Sequence, residues 1–330
     1  MVDLDEFRRV SDRLRNWGRW GADDQIGTLN FITPECLVAA AGCVRQGKVF
    51  SLGADFTADG VQGHAAPFRG NPLHFMTVDG GDANSLPDAV KGWRHSPAEA
   101  VAGIYGASIL RFNDDYIVMP LQAATQWDAL SHVYYDELLY NDVPAASVTS
   151  FGATRNSIAE VGARGGITAR GVLLDAARHR GAEWIDGGDP ISPDELDAIA
   201  AAQGVDVRSG DVVVVRTGWY TRFVATGERE FQGNGLGWQC AEWLHEHEVA
   251  AVAADNLAVE AVHVMDVEGV VLPLHLLCQR DMGLMFGEVW NLDALADDCA
   301  ADGTYVFQLA APALRVTGGV GSPLNPLALK

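Results

Sequence analysis

The sequence is poor in basic residues: it has 23 Lys and Arg against 44 Asp and Glu, and its formal net charge is −21. A chain of this charge repels phosphate backbones and anionic lipid surfaces at long range, which argues against nucleic-acid and membrane partners. The sequence also lacks an uninterrupted apolar run of about 18 residues, the minimum for a membrane-spanning helix. Its first 15 residues carry closely spaced charges and no signal-peptide core, so a cytoplasmic location is expected.

Cysteine is scarce as well. The five cysteines are an odd number, widely spread, and contain no C-x-x-C pair. This pattern suggests neither a disulfide framework nor a thiolate zinc site. There is also no Walker loop, no G-x-S-x-G elbow and no G-x-G-x-x-G at a strand-to-helix junction, which argues against nucleotide, serine-hydrolase and dinucleotide chemistry.

The chain has 330 residues, and 48% of them are hydrophobic, so it can bury a large core. It contains no repeat of fixed period and no low-complexity linker. We therefore predict one domain over residues 1–330, in which residues 1–49 form an N-terminal arm and a helix. Residues 16–30 mix Trp, Gly and Asp without a regular period, and are predicted to lie as an irregular segment on the body.

Two helices are marked by their ends. Thr33, followed by proline, supplies an N-cap hydroxyl to an apolar run that ends at Gly47. The second helix is predicted to begin with a capping box formed by Ser192 and Glu195 and to end at Gly204.

Buried strands are indicated by the short apolar runs at residues 212–216 and 249–254, and residues 238–247 between them have helical spacing. This order predicts an α/β protein with a central mixed sheet covered by helices. Further strand candidates are residues 117–121, 270–273 and 305–309.

The densest polar cluster is LQAATQWDALSHV, residues 121–133. Its polar side chains Gln122, Gln126, Asp128 and His132 occupy even positions, which share one face in an extended chain. A carboxylate and an imidazole on one face suit a divalent metal site or a general acid and base pair. A structural hydrogen bond between them is the alternative.

A second cluster pairs His275 with Glu288. His275 lies among four leucines, where an imidazole needs a hydrogen-bond partner or a ligand. The alternative is a buried histidine that bonds only to the backbone.

These residues resemble the cyclase and kynurenine-formamidase-like metal hydrolases, whose signature is H-x-G-T-H-x-D-x-P-x-H. Thr125, Asp128 and His132 match that signature, while His275 and Glu288, before an Asn-Leu pair, match the second one. The resemblance implies an α/β fold of the swivelling β/β/α type, and the motif TQWDALSHV looks like the family's longer-chain branch. Further segments match in the same order: residues 170–176, 210–219, 254–260 and 318–326.

Four positions depart from the family signature, and two of them, Ala124 and Leu130, replace its glycine and its proline. Gln122 and Gln126 stand where the family has its first two metal-binding histidines. Glutamine is a neutral and weaker donor, so a site for two ions should lose at least one. With Gln126 as an auxiliary ligand, the remaining groups are enough for one zinc or manganese ion; they are Asp128, His132, His275 and Glu288.

The resemblance implies a hydrolase that opens a small cyclic amide, a lactone or an aryl formamide. In this scheme a metal-activated water attacks the carbonyl, His132 shuttles the proton, and Asp128 and Glu288 anchor the cation. Two alternatives stay open: a metal-independent lyase or cyclase that uses the same residues, and a non-catalytic small-molecule binder, which the two glutamines favour. The resemblance also implies a homodimer or homotetramer.

Several residues are candidates for substrate contact, and for each the alternative is an ordinary loop or core residue. Asp255 and Glu260 follow a buried strand, where a carboxylate lines a cleft or caps the next helix. That choice stays open from the sequence. The candidate substrate contacts are His74, Gln122, Trp127 and Trp219, with Tyr220 beside the last.

Overall fold

A mixed sheet of nine strands lies at the centre of the computed structural model, which describes residues 2–63, 68–85, 95–106, 108–229, 233–262 and 267–330. The described strands are β1 (Val49–Ser51), β2 (Leu73–Val78), β3 (Asp114–Val118), β4 (Gln126–Asp128), β5 (Leu138–Leu139), β6 (Val143–Pro144), β7 (Val148–Thr149), β8 (Gly152–Ala153), β9 (Ile167–Asp175), β10 (Val212–Arg216), β11 (Ala251–Ala254), β12 (Met285–Glu288), β13 (Val306–Ala311), β14 (Gly321–Pro323) and β15 (Leu327–Leu329).

The described helices surround this sheet. They are α1 (Leu4–Leu14), α2 (Pro34–Ala41), α3 (Asp82–Ser85), α4 (Pro97–Tyr105), α5 (Ile158–Ala163), α6 (Ala176–His179), α7 (Pro193–Gln203), α8 (Trp219–Thr226), α9 (Cys240–Glu246), α10 (Pro273–His275) and α11 (Asp293–Asp302). A π-helix, Leu276–Met282, continues α10 directly. Short 3-10 helices lie at Gly27–Phe31, Tyr140–Asp142 and Ala145–Ser147.

The strand order of the central sheet is β1-β15-β13-β9-β10-β11-β12-β4-β14. Strands β9 to β12 run parallel, and the flanking pairs are antiparallel. Side chains alternate across β10, with Val213 and Val215 in one hydrophobic core and Val212 and Val214 in the other. Helices pack on both cores, so the predicted α/β architecture with a central mixed sheet is confirmed.

The predicted strands agree with the observed ones in the middle of the sheet. Strand β10 has the predicted bounds, β11 lies within its predicted run, and β13 covers most of residues 305–309. Strand β3 ends at Val118, short of the predicted end. The strand predicted at residues 270–273 is wrong, because Leu272 has a left-handed backbone (φ +55°) and Pro273, which has no N–H for a ladder, begins α10.

The predicted helix ends are partly correct. The Ser192 hydroxyl accepts from the Glu195 amide at 3.2 Å, but the Glu195 carboxylate pairs with Arg180 instead of completing a capping box. Helix α7 ends before Gly204, as predicted. Helix α2 ends at Ala41, earlier than the predicted stop at Gly47. None of the described helices is long and apolar enough to cross a membrane.

The N-terminal arm lies on the body, as predicted. After α1, which the sequence analysis missed, the chain runs along the π-helix. The Asn16 amide donates to the Met282 carbonyl at 3.0 Å, and the Trp17 indole donates to the Arg280 carbonyl at 2.9 Å. These bonds attach the arm to the segment that follows His275.

Candidate functional site

The two polar clusters meet because β4 and β12 are adjacent antiparallel strands. Gln126 is the register partner of Glu288, although 162 positions separate them in the chain. His275 lies at the end of α10, shortly before β12. Ligand atoms of Asp128, His275 and Glu288 all lie within 4.8 Å of one another, and all three residues are buried. The predicted convergence of the two clusters is confirmed.

Strand alternation sends Trp127 away from this cluster. Its ring packs edge-on against Trp290, with 5.0 Å between centroids, and its indole donates to the Ala311 carbonyl at 3.0 Å. The register partner is Gly287, where an added Cβ would lie 2.8 Å from the Trp127 ring. Trp127 is therefore a core residue, and the interpretation as a substrate contact is wrong.

Gln126 bridges the two carboxylates. Its amide Nε2 donates to Glu288 Oε2 at 2.7 Å and to Asp128 Oδ1 at 3.4 Å. The bridging amide offsets part of the repulsion between two buried acidic groups, because it directs a partial positive charge at both.

Several buried polar atoms of residues 122–131 lack a hydrogen-bond partner among the described residues. Such atoms are rare in proteins, and those of Gln126 and Asp128 leave hydrogen-bonding capacity for water, an ion or a substrate at the site. They are Gln122 Nε2, Gln126 Oε1, Asp128 Oδ2 and Ser131 Oγ.

His275 is held between two glutamates. Its Nδ1 contacts Glu260, and its Nε2 lies 3.4 Å from Glu288 Oε1. Burial by itself would lower the pKa of His275, but the hydrogen bonds to Glu260 and Glu288 outweigh it and raise that pKa to about 10. Burial, followed by the negative charge of Asp128, raises the pKa of Glu288 to about 7. Both groups therefore have strongly perturbed proton affinities, as is common at functional sites.

Glu260 is the residue of this site whose role the sequence left open. The available signal was a carboxylate shortly after a buried strand, which the structure places against the histidine from the second cluster.

His132 lies at the edge of the cluster. Its Nε2 is 3.8 Å from Asp128 Oδ1, and its side chain is 19% exposed. Burial is the main cause that lowers its pKa, and the charge of Arg69 acts in the same direction. The extended conformation predicted from Gln122 to His132 is limited to β4. Gln122 lies in a turn closed by the Ala123 amide and the Pro120 carbonyl. A second turn, with the His132 amide bonded to the Ala129 carbonyl, leaves His132 near Asp128.

The remaining candidates are spread over the molecule. His74 lies on β2, exposed, and pairs with Asp115 at 2.7 Å on the separate ribbon of β2 and β3. Trp219 and Tyr220 form a small buried cluster with Val289, which directly follows Glu288. Gln122 precedes β4, and its Nε2 lies near Gly321, the register partner of Asp128. Gln122 is therefore close to the site, the two aromatic residues pack with the residue after Glu288, and His74 makes a surface hydrogen bond.

The donor set fits one divalent cation. Two carboxylates and one imidazole supply oxygen and nitrogen donors, and the unpartnered oxygens of Asp128 and Gln126 can serve as further ligands. An imidazole whose other nitrogen bonds to a carboxylate is the usual arrangement of a metal-binding histidine. His132 lies outside the group of three.

The fold is shared with isatin hydrolases. One from Labrenzia aggregata, solved with benzyl benzoate, is 19% identical, with 88% of this chain and 96% of that chain covered and a TM-score of 0.58. Another, from Ralstonia solanacearum, is 18% identical, with 90% and 97% covered and a TM-score of 0.56. At this identity the likeness concerns the fold alone. The comparison with curated proteins returned no match.

The family is shown by closer matches. A crystal structure described as that of a novel cyclase is 40% identical, with 97% of this chain and 99% of that chain covered and a TM-score of 0.83. A family model described as “Putative cyclase” matches residues 62–261, more than half of the sequence. The chain therefore belongs to the cyclase family.

Proposed function

We propose that this protein is a hydrolase that opens a small cyclic amide, a lactone or an aryl formamide with the help of one divalent cation, zinc or manganese. The observation that carries the proposal is the buried group of Asp128, His275 and Glu288, whose ligand atoms lie within 4.8 Å of one another. Burying two carboxylates beside each other is costly unless a positive charge compensates them.

In this proposal the site residues have three roles: cation binding, orientation of the carboxylates and proton transfer. Asp128, His275 and Glu288 would hold the cation, and Gln126 orients the two carboxylates through its amide. When bound, a divalent cation activates water and polarises a carbonyl oxygen. His132, with its lowered pKa, is neutral at pH 7, so its imidazole takes a proton from the attacking water and returns it to the leaving nitrogen or oxygen.

The surroundings favour a planar substrate that becomes an anion. Two of the fold's relatives are isatin hydrolases, and isatin is a bicyclic aromatic lactam. Trp219 and Tyr220, next to Val289, offer an aromatic wall near the cluster. Hydrolysis of a lactam or lactone yields a carboxylate, and the positive charge of Arg69, which acts on both His132 and Glu288, favours that product.

The second candidate is a metal-independent lyase or cyclase. It is supported by the hydrogen-bonded series Glu260, His275 and Glu288, which can move protons without a cation. Glu288, with a pKa of about 7, is suited to general acid and base chemistry near neutral pH.

Metal analysis combined with a substrate panel tests these functions. We expect close to one zinc or manganese per chain in purified protein, loss of that ion in Asp128→Asn and Glu288→Gln, and turnover of at least one lactam, lactone or aryl formamide. His179→Gln, an exposed histidine on α6, is the control and should keep the ion. Turnover without any ion favours the lyase or cyclase, and ligand binding without turnover favours a binding protein.

A further inference from the structure

Glu260 is a buried carboxylate whose hydrogen bonds go to two adjacent residues of α10, Leu274 and His275. Its side chain is 3% exposed and lies on the Nδ1 side of the His275 ring, while Glu288 lies on the Nε2 side. It follows β11 in the chain and reaches the start of α10, the next described helix, so it fixes the backbone after β11 to that helix.

The carboxylate of Glu260 holds both the backbone and the ring of His275. Its Oε1 accepts from the His275 amide at 3.0 Å and from His275 Nδ1, and its Oε2 accepts from the Leu274 amide at 3.1 Å. The two amides belong to the first turn of α10, where backbone N–H groups have no partner within the helix. The same group therefore caps the helix and orients the imidazole that the helix carries.

The position of Glu260 is itself tightly determined. The Leu236 amide donates to the Val259 carbonyl at 3.0 Å, and the Ala261 amide donates to the Leu236 carbonyl at 3.0 Å, so one residue clamps the backbone on both sides. Asn256 Oδ1 also accepts from the Val259 amide at 2.7 Å. Val259 has φ +59°, an unfavourable value for a β-branched residue that persists only where surrounding contacts impose it.

We propose that Glu260 is the positioning residue for His275. An ionised carboxylate can only accept hydrogen bonds, so Glu260 holds one imidazole proton on Nδ1. A bound cation would then displace only the proton on Nε2, the nitrogen that faces Asp128 and Glu288. Without Glu260, the ring can rotate or place its remaining proton on Nε2 against Glu288, which removes the lone pair that a cation needs. This inference rests on the proposed function, in which Nε2 is the ligand atom.

Cation titration of the full chain tests the proposal. With Zn²⁺ followed by calorimetry, we expect Glu260→Gln to bind about 10- to 100-fold more weakly than the native chain. Gln has one acceptor oxygen for three donors, and its NH₂ group faces the Leu274 amide. Glu260→Asp, which keeps the carboxylate, should recover part of the affinity.

Asp211→Asn is the matched control. Asp211 is also a buried carboxylate, paired with Arg170 at 2.6 Å, but it precedes β10 at the opposite end of the parallel strands. It should lose stability and keep native Zn²⁺ affinity. Native affinity in Glu260→Gln would overturn the proposal, and so would an equal loss of affinity in Asp211→Asn.

Two further measurements separate this inference from the proposed function. Long-range ¹H–¹⁵N spectra of the zinc-loaded chain should show the His275 proton on Nδ1; a proton on Nε2 overturns the inference while zinc binding still supports the hydrolase. If the native chain binds no cation, the hydrolase proposal fails. Crystal structures of Glu260→Gln and Glu260→Asp then test whether Glu260 positions His275. A rotated His275 ring, or one in two conformations, supports a positioning role, and an unchanged ring contradicts it.

Discussion

Gln126 lies at the centre of the site, because its amide lies between two buried carboxylates. It donates 2.7 Å and 3.4 Å hydrogen bonds to Glu288 and Asp128, where an uncharged side chain without donors would leave the acids to repel each other. The residue is therefore part of the balance of charge at the site, whether or not its oxygen also binds the cation.

We expect Gln126→Leu to lower the free energy of unfolding by about 1–3 kcal/mol in metal-free protein, because two buried acceptors lose their donor. Saturating Mn²⁺ should restore part of that loss, since the cation takes over the compensating charge. Urea denaturation with and without Mn²⁺ measures both effects. Gln279→Leu is the control. Gln279 is fully buried, and both of its amide atoms lack a partner among the described residues. The change in the free energy of unfolding that this substitution causes should therefore not depend on Mn²⁺. Equal behaviour of the two variants would contradict the bridging role.

Replacement of His132 should slow turnover and leave the affinity for the cation unchanged. His132→Ala should lower kcat about 100- to 10,000-fold, the usual contribution of a general acid or base. Its Zn²⁺ affinity should stay near the native value, because His132 lies outside the group of Asp128, His275 and Glu288. Steady-state kinetics and calorimetry on the same sample separate the two quantities. Unimpaired turnover would remove His132 from the mechanism, and lost Zn²⁺ binding would make it a ligand instead.

Among the elements, the antiparallel strand β4 creates the site by pairing with the last parallel strand, β12. The carboxyl ends of the parallel strands carry further charged residues. Asp255 follows β11 and accepts from the Thr217 amide, the Thr217 hydroxyl and the Gly218 amide at 2.7–2.8 Å. This carboxylate orders the turn that leads into α8, where Trp219 lies.

Burial raises the pKa of Asp255 to about 6, above its ordinary value of 3.8. The folded protein then holds this proton more tightly than the unfolded chain, so the contribution to stability is fully present below about pH 4 and is lost as pH rises towards 6. We expect the unfolding free energy of the native chain, relative to Asp255→Asn, to fall by about 3 kcal/mol between pH 4 and pH 7. Urea denaturation across this range measures the difference. Asp23→Asn, at an exposed position, should show no comparable trend. A pH-independent difference for Asp255→Asn would contradict the raised pKa.

In the whole molecule, the sheet places a stabilising contact at one edge and the candidate site near the opposite edge. The edge formed by β1 and β15 lies six strands or more from β4 in the sheet order. There Lys330 is buried, and its Nζ lies 2.9 Å from both Asp298 and Asp302 of α11. This contact joins the residue after β15 to α11, far from the site on β4 and β12.

We expect Lys330→Met to lower the unfolding free energy by about 1–3 kcal/mol, because two aspartates lose a shared cation and its hydrogen bonds. Zn²⁺ affinity and kcat should stay native, since the site lies at the other side of the sheet. Thermal unfolding, calorimetry and kinetics on one preparation give all three values. A loss of Zn²⁺ affinity at unchanged stability would contradict this separation.

The expected homodimer or homotetramer stays a prediction. Light scattering, which measures the molar mass in solution, tests it directly.

The sequence by itself determined the features that depend on nearby residues. The apolar run of β10, the Ser192 cap of α7 and the family signature around Asp128 and His275 could all be read from short windows, because side-chain alternation and capping act over a few positions. The signature also named Asp128, His275 and Glu288, which the fold brings together.

Tertiary structure alone decided how those pieces act together. The pairing of Gln126 with Glu288, 162 positions away, and the contact of Glu260 with His275 depend on the packing of β4, β12 and α10. Trp127 was assigned to the wrong surroundings for the same reason: the sequence shows that it alternates with Gln126 and Asp128, but only the packed sheet shows which face is core. Short sequence patterns do not show which distant strand will pair with β4. At this site the paired strand, β12, supplies Glu288 and so determines which groups face each other.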